Sequence, residues 1–187
     1  DCTDNDLYLN AATSLHKLQP SSQSAYFLYK LNAARGNFDE AVKYISEALT
    51  YPEISVETAA DYNYEAATFC VKNGKNAKAL EFANKSMELA DSYKGKAYFL
   101  IGTIWGATTC GGDEISRRAP YWVAYDYMAK AKEADPSLAE DCNRMMSQYR
   151  VYFPQTAEAF MYDLTDGKPY KVSCNGMTAN TTVRTQK

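Results

Sequence analysis

The sequence predicts an all-α fold, a stack of paired amphipathic helices with a short β-hairpin at its end, on three observations. Apolar residues return every three or four positions through most of residues 5–152, the period of one helix face. Gly36 stands to Ala41 and Ala48 as Gly74 stands to Ala79 and Ser86, so one two-helix unit recurs at a constant offset, and Gly102 marks a third. From Asp166-Gly167 onward the period changes to short alternating runs around Asn175-Gly176, a strong hairpin signal because both turn residues tolerate positive φ.

Taken in order, residues 5–18 form a helical pattern with Leu7, Ala11, Ala12, Leu15 and Leu18 on one side, and Pro20 closes it. The chain opens at Asp1 rather than Met, and this helix has the phase of a second helix without its first. The expectation is a chain that starts inside a repeat of a longer protein, with a possible upstream domain. Residues 25–52 then carry the clearest unit. Leu28, Tyr29 and Leu31 share one face, and Ala41, Ile45, Ala48 and Leu49 share the next. Gly36 sits where a helix needs a left-handed C′ residue, and Pro52 stops the second helix.

That unit resembles the tetratricopeptide repeat, a helix-turn-helix of about 34 residues. With Ala41 on the small position that opens the repeat's second helix, Leu28 falls on the large apolar position of the first. Ile45 falls on the bulky position of the second, and Ala48 on its second small position. Tyr29 stands where the family has Gly or Ala, so looser packing is expected there. The resemblance implies a right-handed α-solenoid with repeats at about 22–54, 59–92 and 95–136. A capping helix at 137–152 would complete a helical domain of residues 1–153, followed by a tail of 154–187.

In the second repeat Ser55 is the expected N-cap, Ala66, Ala67 and Cys70 face inward from the first helix, and Leu80, Ala83, Met87 and Leu89 populate the second. In the third, residues 97–102 match a first helix with Gly102 at the small position, and Ala124, Met128, Ala131 and Pro136 match a second. Between them a stretch at 107–115 replaces the tight turn, and a helix is expected to open at Tyr121. Ser137 is the expected cap of the last helix, with Leu138, Cys142, Met145, Met146 and Tyr149 inward. Residues 156–162 add a turn or two, and 170–174 and 177–183 form the hairpin.

The Cys110-Gly111-Gly112-Asp113-Glu114 insertion, Tyr121-Trp122-Val123-Ala124, the run from Asp135 to Glu140 and the closing Thr181-Thr182-Val183-Arg184 together resemble a group of exported bacterial tetratricopeptide-repeat proteins. In that group such a segment ends a longer chain. The resemblance implies a periplasmic or cell-envelope location.

Composition narrows the function. A net charge of −3 with no face concentrating Lys and Arg argues against nucleic acid, and no stretch approaches the roughly 18 apolar residues of a membrane span. Five cysteines, at 2, 70, 110, 142 and 174, show no Cys-x-x-Cys spacing, and with a single His no metal or other cofactor is expected. Cys70 reads as a buried small hydrophobe. Of the disulfides that export would permit, Cys142 with Cys174 is expected first and Cys110 with Cys174 next, while Cys110 with Cys142 is geometrically awkward. Gly111-Gly112-Asp113-Glu114 matches the short motif of diguanylate cyclases, but here it lies between two helices without the α/β surroundings of that family. His16 has no Ser or Cys nucleophile near it in pattern and reads as a surface or packing residue. No catalytic residue is expected, so the chain is read as a non-enzyme.

What remains is recognition of a protein or peptide ligand. The resemblance places the concave groove on the outward positions of successive first helices. These are Tyr26, Lys30 and Ala33, then Tyr64, Thr68 and Lys72, then Phe99 and Thr103, continued by Asn143 and Ser147. The family's Lys and Asn clamp for a terminal carboxylate is missing, since Tyr26 takes the place of its first Lys and Lys30 that of its Asn. An aromatic-rich groove with few charges suits an extended or helical peptide held by apolar contacts. The alternative is a structural C-terminal domain that assembles or anchors a larger cell-envelope protein through its tail.

Overall fold

The structure is a computed structural model that describes residues 6–186. Its elements run α1 (Asp6–Leu18), α2 (Ser22–Ala34), α3 (Phe38–Ala48), α4 (Val56–Lys72), α5 (Asn76–Leu89), α6 (Lys94–Gly106), α7 (Glu114–Ala134), α8 (Ala139–Arg150), α9 (Thr156–Phe160), β1 (Pro169–Cys174) and β2 (Met177–Thr182). The helices pack as consecutive pairs, α2 with α3, α4 with α5 and α6 with α7, and α8 lies against α7. Gly36 and Gly74 take φ of +73° and +69° after α2 and α4, the left-handed turn that only glycine adopts without cost.

The small residues act as the periodicity predicts. Ala41, Ala48, Ala79, Ala83, Ala124 and Ala131 are fully buried where facing helices approach closely. Within the first two pairs one serine spans 26 residues to lock the helices. Ser22 Oγ of α2 donates to the Ala48 carbonyl, and Ser86 Oγ of α5 donates to the Ala60 carbonyl, both at 2.8–2.9 Å. The bond is the same and the donor changes helix. Tyr29, against expectation, is not a loose point, because its ring is only 2% exposed and meets Phe69 of α4 edge-on at 5.7 Å.

Three elements differ from the sequence reading. On α1 the buried residue is His16, whereas Leu7, Leu15 and Leu18 are 73%, 58% and 80% exposed. The helix is oriented by a polar interlock, described below, rather than by its leucines. The helix after the insertion begins earlier than expected, since only residues 107–113 lie between α6 and α7. Asp113 accepts from Ser116 N at 2.7 Å, so α7 starts at Glu114 and carries Pro120 inside it instead of opening at Tyr121. Before α8 a single 3₁₀ turn, Pro136–Leu138, is capped by Asp135, whose side chain accepts from Ser137 N, so Ser137 is not the cap.

The hairpin pairs Pro169 with Thr182 through Cys174 with Met177, and Asn175 and Gly176 both take positive φ at its turn. It is part of the core. Val172, Met177 and Val183 are buried, Tyr170 meets Trp122 of α7 edge-on at 5.2 Å, and Thr181 Oγ1 donates to Asp126 of α7 at 2.6 Å. Arg184 ion-pairs with the same carboxylate. A disulfide joins Cys110 to Cys174 with Cα atoms 5.7 Å apart. The bridge expected first, Cys142 to Cys174, is therefore wrong. The hairpin lies along α7, and its turn reaches the loop before that helix, where Asn175 Nδ2 donates to the Thr109 carbonyl. Cys142 is a fully buried free thiol on α8, and Cys70 is another. Cys2 lies outside the described residues.

Candidate functional site

Clefts open between α2 and α4 and between α6 and α8. The one between α2 and α4 has a volume of about 280 Å³ and gathers Lys30, Ala33, Thr68 and Lys72, four residues chosen from sequence, together with Glu65. Glu65 is its electrostatic centre. Lys30 Nζ lies 2.6 Å from one carboxylate oxygen, and Tyr26 Oη donates to the other at 2.5 Å. Tyr26 also stacks on Tyr62 at 4.0 Å with the rings parallel. Burial, then the hydrogen bond to Glu65, raises the Tyr26 phenol well above its usual range, so it stays a neutral donor. The ring expected to face a ligand is thus committed to the α2–α4 junction. Lys72 is exposed and has no ion-pair partner among the described residues, so it is the cation this cleft presents.

At the α4–α6 junction Tyr64 is half-buried, 6.0 Å from Tyr93, and Lys96 Nζ sits over both rings at 5.0 Å and 3.5 Å. Tyr93 Oη donates to Asp61 at 2.9 Å. Burial first and that bond second push its phenol up to about 12. Phe99 is half-buried on α6.

The second cleft lies between α6 and α8, with a volume of about 480 Å³ and mainly apolar walls. Thr103 is the sequence-chosen residue in it, joined by Gly106, Tyr121, Met145, Tyr149 and Tyr152. Tyr121 stacks on Tyr152 at 4.1 Å, and Gly106 lets the Tyr149 ring lie directly on α6, where any Cβ would overlap it. Asn143 is not among these walls. Its side-chain oxygen accepts from Lys132 of α7 at 3.0 Å, and Ser147 Oγ donates back to the Asn143 carbonyl. The tyrosines here escaped the repeat phase because two of them, Tyr121 and Tyr152, belong to the extended start of α7 and to the turn after α8. The signal available was Gly106-Ala107, two small residues ending a helix of large ones.

Two other constellations bring chemistry-bearing side chains together. His16 Nδ1 lies 2.7 Å from Ser24 Oγ, and its Nε2 lies 2.9 Å from Glu47 Oε1, so the fold places both a hydroxyl and a carboxylate on a histidine that had neither in pattern. Ser24 Oγ is also 3.0–3.1 Å from the backbone N, the carbonyl and Oγ of Ser21, as half of the capping box of α2. Its hydroxyl is engaged by these atoms, and the trio acts as a clasp of α1 on α2 and α3. Asp113 and Glu114 of the Gly-Gly-Asp-Glu run serve α7. Hydrogen bonds from Ser116 hold the Asp113 carboxyl below its usual range, and the Arg118 guanidinium does the same for Glu114. Arg118 reaches on to Glu158 of α9 at 2.9 Å. Among the described residues, no group of three or more His, Cys, Asp or Glu side chains is placed to hold a metal ion and no helix is long and apolar enough to cross a membrane.

No protein-family model and no curated protein matches the chain. Among solved structures, the crystal structure of MamA, a TPR-like helical protein, matches with a TM-score of 0.53 at 20% identity, covering 71% of this chain and 69% of that one. At that identity the likeness concerns the fold. Paired helices, left-handed glycine turns, buried small residues and this neighbour agree: the chain has a TPR-like fold, an α-solenoid of helix-turn-helix repeats with a hairpin at its end.

Proposed function

We propose that this chain is a non-enzymatic protein-interaction module of an exported bacterial protein, and that it takes a peptide segment along the groove lined by its first helices. One observation carries the reading. Lys30, Ala33, Thr68 and Lys72 converge in the α2–α4 cleft, and Thr103 opens on a separate apolar cleft between α6 and α8. A peptide spanning both would set a polar or acidic group near Lys72 and an apolar side chain among Tyr121, Met145 and Tyr152. The Cys110–Cys174 bridge supports export to an oxidising compartment such as the periplasm.

Site-specific photo-crosslinking tests this. A photoreactive residue at Thr68 or Gln148 is expected to trap the same partner from envelope extract. Lys72→Glu and Val151→Arg, both at exposed positions, are expected to abolish the product without changing the melting temperature. A partner trapped equally well with both substitutions would refute the groove. The rival reading, an anchor acting through the tail, is less favoured because the hairpin buries Val172, Met177 and Val183 in this molecule's own core.

A further inference from the structure

Away from the groove, a cleft of about 450 Å³ opens between the second helices α3 and α5. Asn63 of α4 forms its floor, Leu49 and Phe82 its walls, and Lys85, Glu88 and Leu89 its rim. Asn63 is 3% exposed. Its Nδ2 donates to the Ala59 carbonyl at 2.8 Å, while its Oδ1 has no hydrogen-bond partner among the described residues. A buried acceptor left without a donor costs stability and marks a place where one is wanted.

The next cleft in the stack shows what such a space holds. Setting α7 on α5 by their buried alanines, Ala124 on Ala79, puts Tyr127 on Phe82, Lys130 on Lys85 and Glu133 on Glu88. Setting α6 on α4 with Gly102 on Ala67 puts Tyr98 on Asn63. The two clefts thus share an aromatic wall with a Lys and a Glu on the same helix. The difference is the floor, where the later cleft receives a ring from its own chain. Tyr98 lies 6.0 Å from Tyr127, and Lys130 Nζ sits 5.9 Å from the Tyr98 ring and 4.8 Å from that of Tyr127. In the earlier cleft the smaller asparagine puts no ring in that place, and the exposed rim closes over it.

We propose that the α3–α5 cleft is a docking socket for a donor-bearing aromatic side chain, tyrosine or tryptophan, of a partner polypeptide. The incoming ring takes the place that Tyr98 fills one repeat later, against Phe82 and Leu49, with the Lys85 ammonium over its face and its O–H or N–H donated to Asn63 Oδ1. The rim residues Lys85, Glu88 and Leu89 are exposed and can part without breaking a core contact.

The test compares N-acetyl-tyrosinamide with N-acetyl-phenylalaninamide, which differ only by the hydroxyl, by methyl NMR on leucine-labelled protein. The tyrosine probe is expected to give saturable shifts at Leu49 and Leu89, with the phenylalanine probe about fivefold weaker for lack of the hydrogen bond. Asn63→Leu should bring the two probes to equal affinity, and Asn63→Tyr, which supplies the ring in cis, should remove binding. Lys85→Ala, at an exposed position, should weaken both probes and decides the matter if the Asn63 variants do not fold. No saturable shift, equal binding of the two probes to the native protein, or binding unchanged in Lys85→Ala would overturn the proposal.

Discussion

At the scale of single residues, two contacts of the third repeat and its neighbour set what can be changed. Gly102 of α6 packs directly on α7, and a Cβ there would lie 2.9 Å from Met128 Cε and 3.2 Å from the Ala124 carbonyl. Gly102→Val is therefore expected to cost about 1–3 kcal/mol by overpacking, read as a lower urea midpoint with an unchanged slope. Tyr93 carries a pH dependence of definite sign. Its phenol is raised from 10.0 to about 12, so the unfolded chain releases the proton first. The stabilisation is complete below pH 10 and drains away as pH rises from 10 to 12. Tyr93→Phe is expected to give a shallower fall of melting temperature across that window, checked by scanning calorimetry at several pH values. Gly102 was legible in the sequence because a glycine at the small position of a matching first helix has a packing reason. The engagement of Tyr26 by Glu65 and Tyr62 was not legible, since no pattern says which side chains of the next helix will meet it.

At the scale of elements, the hairpin and α1 are held in contrasting ways. The Cys110–Cys174 bridge closes residues 64 apart and ties the hairpin to the start of α7. Cys174→Ser is expected to lose about 2–4 kcal/mol in denaturant unfolding, whereas Cys142→Ser leaves the cross-linked peptide in place on proteolytic mapping under non-reducing conditions. The opposite pattern would restore the pairing ranked first from sequence. That pairing failed because cysteine partners depend on which helix the hairpin lies along, which Asp126 decides through Thr181 and Arg184 from more than 50 residues away. Helix α1 is held by its one buried side chain, His16, between Ser24 and Glu47. His16→Ala is expected to raise hydrogen exchange throughout α1 while α4 to α7 keep their protection. Equal exchange in α1 before and after would show that other contacts hold it. The hydrophobic period correctly identified α1 as a helix but assigned its buried face wrongly, because that face depends on which partner is nearest.

At the scale of the whole molecule, the groove and the α3–α5 cleft arise from repetition with local departures from it. Paired helices at a constant offset make a continuous surface, and each departure leaves a feature on it. Asn63 stands for a ring, Gly106 for a side chain, and the extended α7 replaces a tight turn. The sequence by itself determined the helical pairs, the glycine turns, the buried alanines and the hairpin, since each depends on period and backbone preference within some 30 residues, a range over which local signals remain additive. Only the tertiary structure decided the disulfide, the face on which α1 lies, the engagement of Tyr26 and the apolar cleft between α6 and α8. Each of these joins elements remote in the chain, and which of several chemically acceptable partners is met is settled by packing geometry that no local pattern encodes.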